Sequence, residues 1–340
     1  MLHREVRIAV LGAGSWGTAL AIELASDQPV VLWGHTAEEV DTLARERENR
    51  HYLPGVAFPE RLRLSSDLAA ALEDADEVLI VVPSHAFASV CQQVAAIRPS
   101  LSSLSWASKG FDPESGALLG EVAARFLPNT SLAVLSGPTF AAEVARGLPT
   151  AITVASSDQA HASRLAAYLG SRHLRAYTSP DLIGVQVGGA CKNVMAIAAG
   201  ISDGLGFGAN ARAALITRGL SEISRLGMEL GGHMDTFMGL AGLGDLVLTC
   251  TDDQSRNRRM GLALARGSSI EQARSEIGQE VEGILTAREV RQKSRQLGVE
   301  MPITEQTAAV LFEGLDPRQA VQRLLSRRQR PENLTTPGLT

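Results

Sequence analysis

Short apolar runs alternate with longer mixed segments through the first half of the chain. Their composition and length predict strands at Val6–Leu11, Val30–Trp33, Val78–Val82, Leu101–Ala107, Leu132–Leu135 and Thr150–Ala155. Leu174–Thr178 is a further strand candidate. Helical patterns separate most of these runs, and such alternation is typical of a parallel sheet built from βαβ units.

The second half of the chain has a different pattern. Thr178-Ser179-Pro180-Asp181 predicts a turn and a helix start, and after it strand-like runs nearly disappear while helical segments with glycine breaks continue. A chain of 340 residues exceeds the usual size of one hydrophobic core. We therefore predict an α/β domain at 1–179, an all-α domain at 180–326, and a flexible tail at 327–340, where Pro, Thr and Gly are frequent.

The first predicted strand leads directly into a G-x-G-x-x-G sequence formed by Gly12, Gly14 and Gly17, and an Ala- and Leu-rich helix follows. Gly12 would permit the sharp turn, Gly14 would let backbone N–H groups approach a pyrophosphate, and Gly17 would let the helix pack closely on the strand. The helix N-terminus would add its partial positive charge beneath the phosphates. This context favours a dinucleotide-binding Rossmann domain over an ordinary glycine-containing loop.

The end of the second predicted strand bears on which dinucleotide would bind. NAD-selective Rossmann domains usually have an Asp or Glu there, which binds the ribose 2′-hydroxyl. This chain has Trp33-Gly34-His35-Thr36 instead. A 2′-phosphate would not be repelled, so NADP is allowed as well as NAD. His35 is either a cofactor contact or a surface loop residue.

Composition excludes several other classes of protein. The net charge of −5 argues against a nucleic-acid-binding surface. No apolar run approaches ~20 residues, so we expect no membrane-spanning segment, and the first run is too short for a signal peptide. Cys91, Cys191 and Cys250 are far apart and lack C-x-x-C spacing, so we expect thiols in a reducing cytoplasm and neither a disulfide framework nor a metal site.

Lysine is scarce in this chain and therefore informative. Of 32 basic residues only Lys109, Lys192 and Lys293 are lysines, and lysine can lose its proton inside a protein whereas arginine effectively cannot. Lys109 follows the strand predicted at Leu101–Ala107 and should point into the crevice outside the carboxyl ends of the strands, unless it is a solvated loop lysine.

Lys192 lies in a segment, 183–199, that is apolar or small on nearly every face. Burial there would lower its pKa toward neutrality, as a proton donor or acceptor requires, unless the side chain snorkels to the surface.

Two further polar positions are candidates. Asp245 lies in a glycine-rich apolar stretch, 239–246, that we expect to be a flexible turn, and a helix cap is the alternative role for this carboxylate. Three arginines at 256, 258 and 259 begin a predicted helix, where cations oppose the helix dipole. They require an anionic partner, which is either a bound phosphate or the neighbouring Asp252 and Asp253.

Taken together, these motifs resemble the bacterial NAD(P)-dependent glycerol-3-phosphate dehydrogenase family. The resemblance extends from the first strand to about residue 325 and rests on Gly12–Gly17, Ser108–Gly110, Ser136–Val144, Lys192-Asn193, Leu243–Asp245, Gln254–Arg258, Glu280–Gly283 and Gly298–Ile303. It implies reversible reduction of dihydroxyacetone phosphate to sn-glycerol 3-phosphate with NADP or NAD, for phospholipid synthesis in the cytoplasm. A homodimer is possible, but the resemblance does not decide the oligomeric state.

The resemblance also implies roles for single residues. Lys192 is the catalytic proton donor and acceptor, and Asp245 orients or charge-balances the lysines. The substrate-binding positions are Lys109, Gly137, Thr139, Lys192, Asn193, Asp245, Thr249, Ser255, Arg256 and Asn257. The cofactor-binding positions are Ser15, Trp16, His35, Lys109, Ala141, Arg256, Glu280 and Glu282, together with Gly12, Gly14 and Gly17.

Two other functions remain open at this point. Another 3-hydroxyacid-type dehydrogenase would share the architecture and a helix lysine, but the Ser136–Val144 and Gln254–Arg258 motifs disfavour it. A non-catalytic NADP-binding regulator would not need a buried lysine at position 192.

Overall fold

The computed structural model describes residues 5–327, so the predicted tail beyond residue 327 lies outside the described part of the chain. Within this range one eight-stranded sheet has the order β3-β2-β1-β4-β5-β6-β7-β8. Its strands are β1 (Ile8–Leu11), β2 (Val30–Trp33), β3 (Leu62–Ser65), β4 (Glu77–Ile80), β5 (Ser103–Trp106), β6 (Ser131–Ser136), β7 (Thr150–Ser156) and β8 (Leu174–Ser179).

Strand direction agrees with the prediction for most of the sheet. The six strands from β1 to β6 pair in parallel, whereas β6 and β7 pair antiparallel, so β7 and β8 run in the opposite direction. The expectation of a parallel sheet is wrong for this one pair. Its connection contains only the short helix α6 (Ala141–Ala145), which packs against α1 (Ser15–Leu24) and does not cross the sheet.

Helices cover both faces of the sheet. They are α1, α2 (Ala37–Glu46), α3 (Leu68–Leu72), α4 (Ser84–Ile97), α5 (Leu119–Phe126), α6 and α7 (Gln159–Leu169). Ile8 and Val10 belong to the hydrophobic core on one face of β1, and Ala9 and Leu11 belong to the core on the other. This explains why β1 is continuously apolar.

The second half is helical, as predicted. Its helices are α8 (Leu182–Gly204), α9 (Gly208–Glu229), α10 (Met234–Met238), α11 (Asp245–Thr251), α12 (Arg256–Ala265), α13 (Ile270–Ile277), α14 (Glu282–Gln296), α15 (Pro302–Phe312) and α16 (Pro317–Leu325). β8 ends at Ser179 and Asp181 caps α8, its carboxylate accepting the Gly184 N–H at 2.7 Å. The division into domains at residues 179 and 180 stays a prediction.

Helix α8 is the centre of this half and packs against α9, α11, α12 and α14. Glycines let its neighbours approach closely: a Cβ at Gly200 would lie 2.1 Å from the Arg258 carbonyl oxygen, and one at Gly188 would lie 2.5 Å from that of Ala241. By length and apolarity α8 could cross a membrane, so the expectation that no apolar segment approaches the length of a membrane span is wrong. However, 89% of its apolar window is buried inside the protein, as in a core helix.

The stretch 239–246 is not the flexible turn that its glycines predict. Residues 240–244 form a π-helical turn that continues directly into α11. A Cβ at Gly242 would lie 2.1 Å from the carbonyl oxygen of Phe237. This glycine therefore permits close packing, which requires a fixed backbone.

Candidate active site

The glycine-rich turn has the shape of an anion cradle at the carboxyl end of β1. Gly12 has φ +126°, and a Cβ there would lie 2.4 Å from the Val81 carbonyl oxygen. A Cβ at Gly17 would lie 1.9 Å from the Gly12 carbonyl oxygen, whereas one at Gly14 would meet no atom within 4 Å. No side chain caps the start of α1. The first N–H groups of α1 are thus available to a pyrophosphate, and the three glycines have the geometry that their predicted tasks require.

Asp245 brings two of the three lysines together. Lys109 Nζ donates a hydrogen bond to Asp245 Oδ2 at 2.8 Å, and Lys192 Nζ donates to Asp245 Oδ1. Lys192 Nζ also donates to Thr249 Oγ1 at 3.0 Å, while the Thr249 hydroxyl donates to the Asp245 carbonyl oxygen at 2.6 Å. The carboxylate does not cap a helix, since Gly244 precedes α11. We call Lys109, Lys192 and Asp245 the charge trio.

Burial controls the electrostatics of the charge trio. Lys192 is only 6% exposed, and burial lowers its pKa to about 7, although the Asp245 charge acts in the opposite direction. Burial also opposes ionisation of Asp245, but the charges of Lys109 and Lys192 outweigh it and hold the pKa of this carboxyl below its usual value. Lys192 is therefore buried and does not snorkel, and it can release or accept a proton near neutral pH.

The charge trio lies where α8 passes the carboxyl ends of the central strands. Lys109 follows β5, and a Cβ at Gly189 of α8 would lie 3.7 Å from its Cδ atom and 2.8 Å from Ser136 Oγ. The hydroxyl of Ser136, at the end of β6, is buried without a hydrogen-bond partner among the described residues. Sequence reasoning did not single out Ser136, whose only signal is its place at the start of a motif after a strand.

A pair of asparagines connects α8 with the elements that flank the charge trio. Asn257 Nδ2 donates to Asn193 Oδ1 at 2.9 Å, and Asn257 Oδ1 accepts the Gly283 N–H at 2.9 Å. Asn193 Nδ2 in turn donates to Glu282 Oε2 at 3.5 Å. Burial raises the pKa of Glu282, although the charges of Arg256, Lys109 and Lys192 oppose this shift. The predicted residues Asn193, Asn257 and Glu282 thus lie beside the charge trio.

The arginines at the start of α12 have different partners. Arg258 forms ion pairs with Asp253 and, at 2.6 Å, with Asp203. For Arg258 the predicted alternative of an ion pair with a neighbouring aspartate is therefore confirmed at Asp253. The side chain of Arg256 is half-buried and forms no ion pair or side-chain hydrogen bond within residues 5–327, unlike that of Arg258. Its guanidinium remains available to an anion from solution.

The remaining predicted substrate positions have mainly backbone roles. Ser255 Oγ caps α12 by accepting the Arg258 N–H at 3.2 Å. Gly137 has φ +155°, and Thr139 Oγ1 donates to its carbonyl oxygen at 3.2 Å.

The remaining predicted cofactor positions divide into two groups. Ser15 and Trp16 form the half-buried first turn of α1, and Ala141 begins α6, which packs on α1. His35 is exposed and contacts Thr36 Oγ1 at 3.3 Å, while Glu280 forms a 3.6 Å ion pair with Arg274. The structure does not bring Glu280 into the charge trio.

The third lysine, Lys293, lies outside the charge trio. Lys293 lies in the last turn of α14, where a cation interacts favourably with the helix dipole. No group of three or more His, Cys, Asp or Glu side chains in residues 5–327 is arranged to hold a metal ion. The three cysteines are buried free thiols.

The sequence comparisons with known proteins agree on one family. The N-terminal and C-terminal sequence patterns of NAD-dependent glycerol-3-phosphate dehydrogenase match residues 7–162 and 181–322. A relative from Methylococcus capsulatus named glycerol-3-phosphate dehydrogenase (NAD(P)+) is 56% identical over 328 residues, 96% of this chain and 98% of that protein. One of the same name from Escherichia coli is 53% identical over 335 residues, 98% of this chain and 99% of the relative.

A solved structure is similar over nearly the whole chain. The crystal structure of glycerol-3-phosphate dehydrogenase from Coxiella burnetii has a TM-score of 0.93 and 48% sequence identity, covering 95% of this chain and 99% of that one. Both halves of the chain are therefore matched in sequence and in fold. The chain belongs to the NAD-dependent glycerol-3-phosphate dehydrogenase family.

Proposed function

We propose that this enzyme reduces dihydroxyacetone phosphate to sn-glycerol 3-phosphate with NADPH or NADH, reversibly, and so supplies glycerophospholipid synthesis. The observation that carries the proposal is the buried Lys192, whose Nζ contacts Asp245 and Thr249 at the carboxyl ends of the strands. The names of the relatives that cover nearly the whole chain support the same reaction.

The glycine-rich turn and α1 would hold the dinucleotide. The open space at Gly14 and the uncapped start of α1 fit a pyrophosphate. No carboxylate stands at the end of β2, where Trp33 is held by its indole N–H donating to the Ser66 carbonyl oxygen at 3.1 Å. Both NADP and NAD therefore fit. When bound, the cofactor supplies the hydride that reduces the ketone carbon.

Lys192 would supply the proton that completes the reduction. Its ammonium donates an Nζ proton to the carbonyl oxygen of the substrate as negative charge develops there. The resulting amine keeps Thr249 Oγ1 and Asp245 Oδ1 as hydrogen-bond partners, so its position does not depend on its charge. In the reverse direction the neutral amine accepts the proton of the secondary alcohol.

Lys109 and Arg256 would hold the substrate. Within residues 5–327 the Lys109 ammonium donates to one acceptor, Asp245, so its other N–H groups can be directed to the substrate or cofactor. Arg256, at the start of α12 and without an internal ion pair among the described residues, suits a charge-assisted contact to the phosphate. Asp245 offsets the repulsion between the two lysines.

The decisive test is oxidation of NADPH and of NADH by the purified enzyme with dihydroxyacetone phosphate. We expect turnover with both cofactors, and formation of sn-glycerol 3-phosphate. A panel of 2- and 3-oxo acids tests the alternative hydroxyacid dehydrogenase, since those substrates carry a carboxylate in place of a phosphate. Turnover with an oxo acid and none with dihydroxyacetone phosphate would refute the proposal. Bound NADPH without any turnover would favour the regulator.

The same proposal includes a cytoplasmic location and a homodimer. Three buried free thiols support a reducing compartment. The exposed apolar side chains of Met234, Met238 and Val247 offer a surface to a second copy. Light scattering at micromolar concentration checks the assembly, and a monomer would refute that part.

A further inference from the structure

The segment that joins α2 to β3 contacts the glycine-rich turn through one buried side chain, Asn49. We propose that Asn49 is a positioning residue for dinucleotide binding: it fixes the direction in which the Gly14 N–H points. The inference rests on the proposed placement of the dinucleotide at this turn. It concerns a residue outside the G-x-G-x-x-G sequence and 35 positions beyond Gly14 in the chain.

The contacts of Asn49 use both N–H groups of its side-chain amide. Nδ2 donates to the Ala13 carbonyl oxygen at 3.1 Å and to Thr18 Oγ1 at 2.9 Å. The Thr18 hydroxyl donates to the same Ala13 oxygen at 3.3 Å. Asn49 is only 2% exposed and Thr18 is fully buried, so water cannot replace these donors. The Ala13 carbonyl is thus held toward the protein interior by two donors.

The direction of this carbonyl determines the direction of the neighbouring N–H. In a planar trans peptide the C=O of one residue and the N–H of the next point in opposite directions. Because the Ala13 oxygen points toward Asn49, the Gly14 N–H points away from it. A Cβ at Gly14 would have no neighbour within 4 Å, so the space in front of this residue is open. Rotation of the peptide would turn an acceptor toward an incoming phosphate where a donor is required.

Asn49 is itself held in one orientation. Its Oδ1 accepts the Tyr52 N–H at 3.3 Å and its backbone oxygen accepts the Leu53 N–H at 2.7 Å. Arg47, two residues before Asn49, has the left-handed backbone conformation, φ +52°, and its guanidinium donates to the Leu62 carbonyl oxygen at 2.8 Å. With Oδ1 already paired, a flipped amide would place two acceptors against each other. The segment therefore presents donors, and only donors, to Ala13.

The first test compares Asn49→Leu, which keeps the branched shape of the side chain and removes the donors, with the parent enzyme. We expect the Kd for NADP+, measured by calorimetry, to rise by about tenfold, the usual cost of a hydrogen bond to a buried group. The KM for dihydroxyacetone phosphate at saturating NADPH and the kcat should remain close to the parent values. Asn129→Leu, at an exposed asparagine, is the matched control and should change none of these quantities.

The second variant keeps the test meaningful if Asn49→Leu folds poorly. In Asn49→Asp a protonated carboxyl can donate to the Ala13 oxygen, whereas the ionised form repels it. Its affinity for NADP+, expressed relative to the parent at each pH, should therefore increase as the pH falls from 8 to 5.5. Normalising to the parent removes the titration of the 2′-phosphate, which has a pKa of about 6 in phosphomonoesters.

The outcomes separate the inference from the proposed function. A parent enzyme that binds no NADP+ would overturn both. A parent that binds, with an unchanged Kd in Asn49→Leu or a flat relative affinity in Asn49→Asp, would overturn the role of Asn49 alone. An equal loss in the KM for the substrate would mean that Asn49 stabilises the domain generally, and this too would overturn the inference.

Discussion

At the scale of single residues, the site depends on one carboxylate shared by two lysines. Asp245 is fully buried and accepts from both Lys109 and Lys192, one on each oxygen. Burial favours neutral Lys192, while Asp245 favours the ammonium. The balance leaves the proton of Lys192 transferable near neutral pH, which neither an exposed lysine nor an arginine would provide.

Replacement of Lys192 tests proton transfer directly. Lys192→Met should keep the fold and cofactor binding while kcat falls by about 10²–10⁴-fold, the usual contribution of general acid catalysis. Lys192→Arg should lose nearly as much, because a guanidinium is too weak an acid to protonate an alkoxide. Steady-state assays at saturating substrate measure both. Near-normal kcat in Lys192→Arg would refute the proton-donor role and leave a purely electrostatic one.

The pH dependence follows from the same group. Ketone reduction needs protonated Lys192, so kcat/KM for dihydroxyacetone phosphate should fall as the pH rises through about 7, and alcohol oxidation should rise over the same range. Asp245 raises the pKa of Lys192, so Asp245→Asn should move the pH profiles of ketone reduction and of alcohol oxidation to lower pH. Lys109 acts in the opposite direction, and Lys109→Met should move them to higher pH. Profiles that do not move in either variant would contradict this assignment.

Arg256 and Arg258 form a matched pair for testing phosphate recognition. Arg256→Ala should raise the KM for dihydroxyacetone phosphate by roughly 10- to 100-fold, since a charge-assisted contact is worth about 1.5–3 kcal/mol. Arg258→Ala should instead lower the melting temperature, because Arg258 pairs internally with Asp203 and Asp253. An unchanged KM in Arg256→Ala would show that this guanidinium does not bind the phosphate.

At the scale of secondary structure, the sequence predicts the helices and strands that a local pattern of residues determines. The apolar runs locate seven strands, of which all but β8 are largely buried; in the edge strand β8 only Leu174 is buried. The pattern misses β3, a four-residue edge strand that contains Arg63. The reversal at β7 was missed because it depends on where α6 packs. Glycines at 239–246 suggested flexibility, whereas the structure uses Gly242 for close packing, which composition alone cannot indicate.

In the candidate site, too, the sequence predicts the local features and not those that depend on tertiary packing. The glycine turn and the special character of Lys109 and Lys192 are visible in the sequence, because motif spacing and residue scarcity are local properties. That Asp245 joins both lysines, over separations of 136 and 53 residues, is visible only in the fold. Asn49 has no sequence signal of its own, since its partners become neighbours only when the α2–β3 connection folds over the turn.

Two glycines of the turn give opposite predictions. Gly17→Ala should destabilise the protein by about 1–3 kcal/mol or more, because the new Cβ would lie 1.9 Å from the Gly12 carbonyl oxygen. Gly14→Ala should leave the melting temperature unchanged, because its Cβ would meet nothing, yet weaken NADPH binding by on the order of tenfold by displacing a phosphate contact. Thermal melts and cofactor titrations distinguish them. Equal effects of the two changes on cofactor affinity and melting temperature would contradict this interpretation.

The β2–α2 connection should set cofactor preference. His35 is exposed, whereas a side chain at Gly34 would lie 2.8 Å from Val40 Cγ2, so His35 is the better position for a test. His35→Asp should lower kcat/KM for NADPH at least about tenfold relative to NADH, through repulsion of the 2′-phosphate. His35→Asn controls for loss of the imidazole. A proportional loss with both cofactors would argue against this placement of the 2′-phosphate.

At the scale of the whole molecule, the site exists only when the two halves are packed together. The sheet contributes Lys109, whereas α8 and α11 contribute Lys192 and Asp245. Two side-chain hydrogen bonds also join the halves: Gln186 Oε1 accepts the Gly120 N–H at 2.8 Å, and Gln254 Nε2 donates to Glu143 Oε1 at 2.9 Å. A motion that separates the halves would break the Lys109–Asp245 contact of the charge trio.

The burial of α8 also has a consequence for biosynthesis. Its 23 residues emerge from the ribosome before α9, α11, α12 and α14, the helices that will cover them. Until α9, α11 and α12 have been translated, a segment apolar enough to span a bilayer lacks the helices that cover most of its surface. The nascent chain therefore passes through a stage at which a chaperone or a membrane competes with folding for this helix. That stage lasts until the end of α12 at Ala265, 61 residues after α8 ends at Gly204.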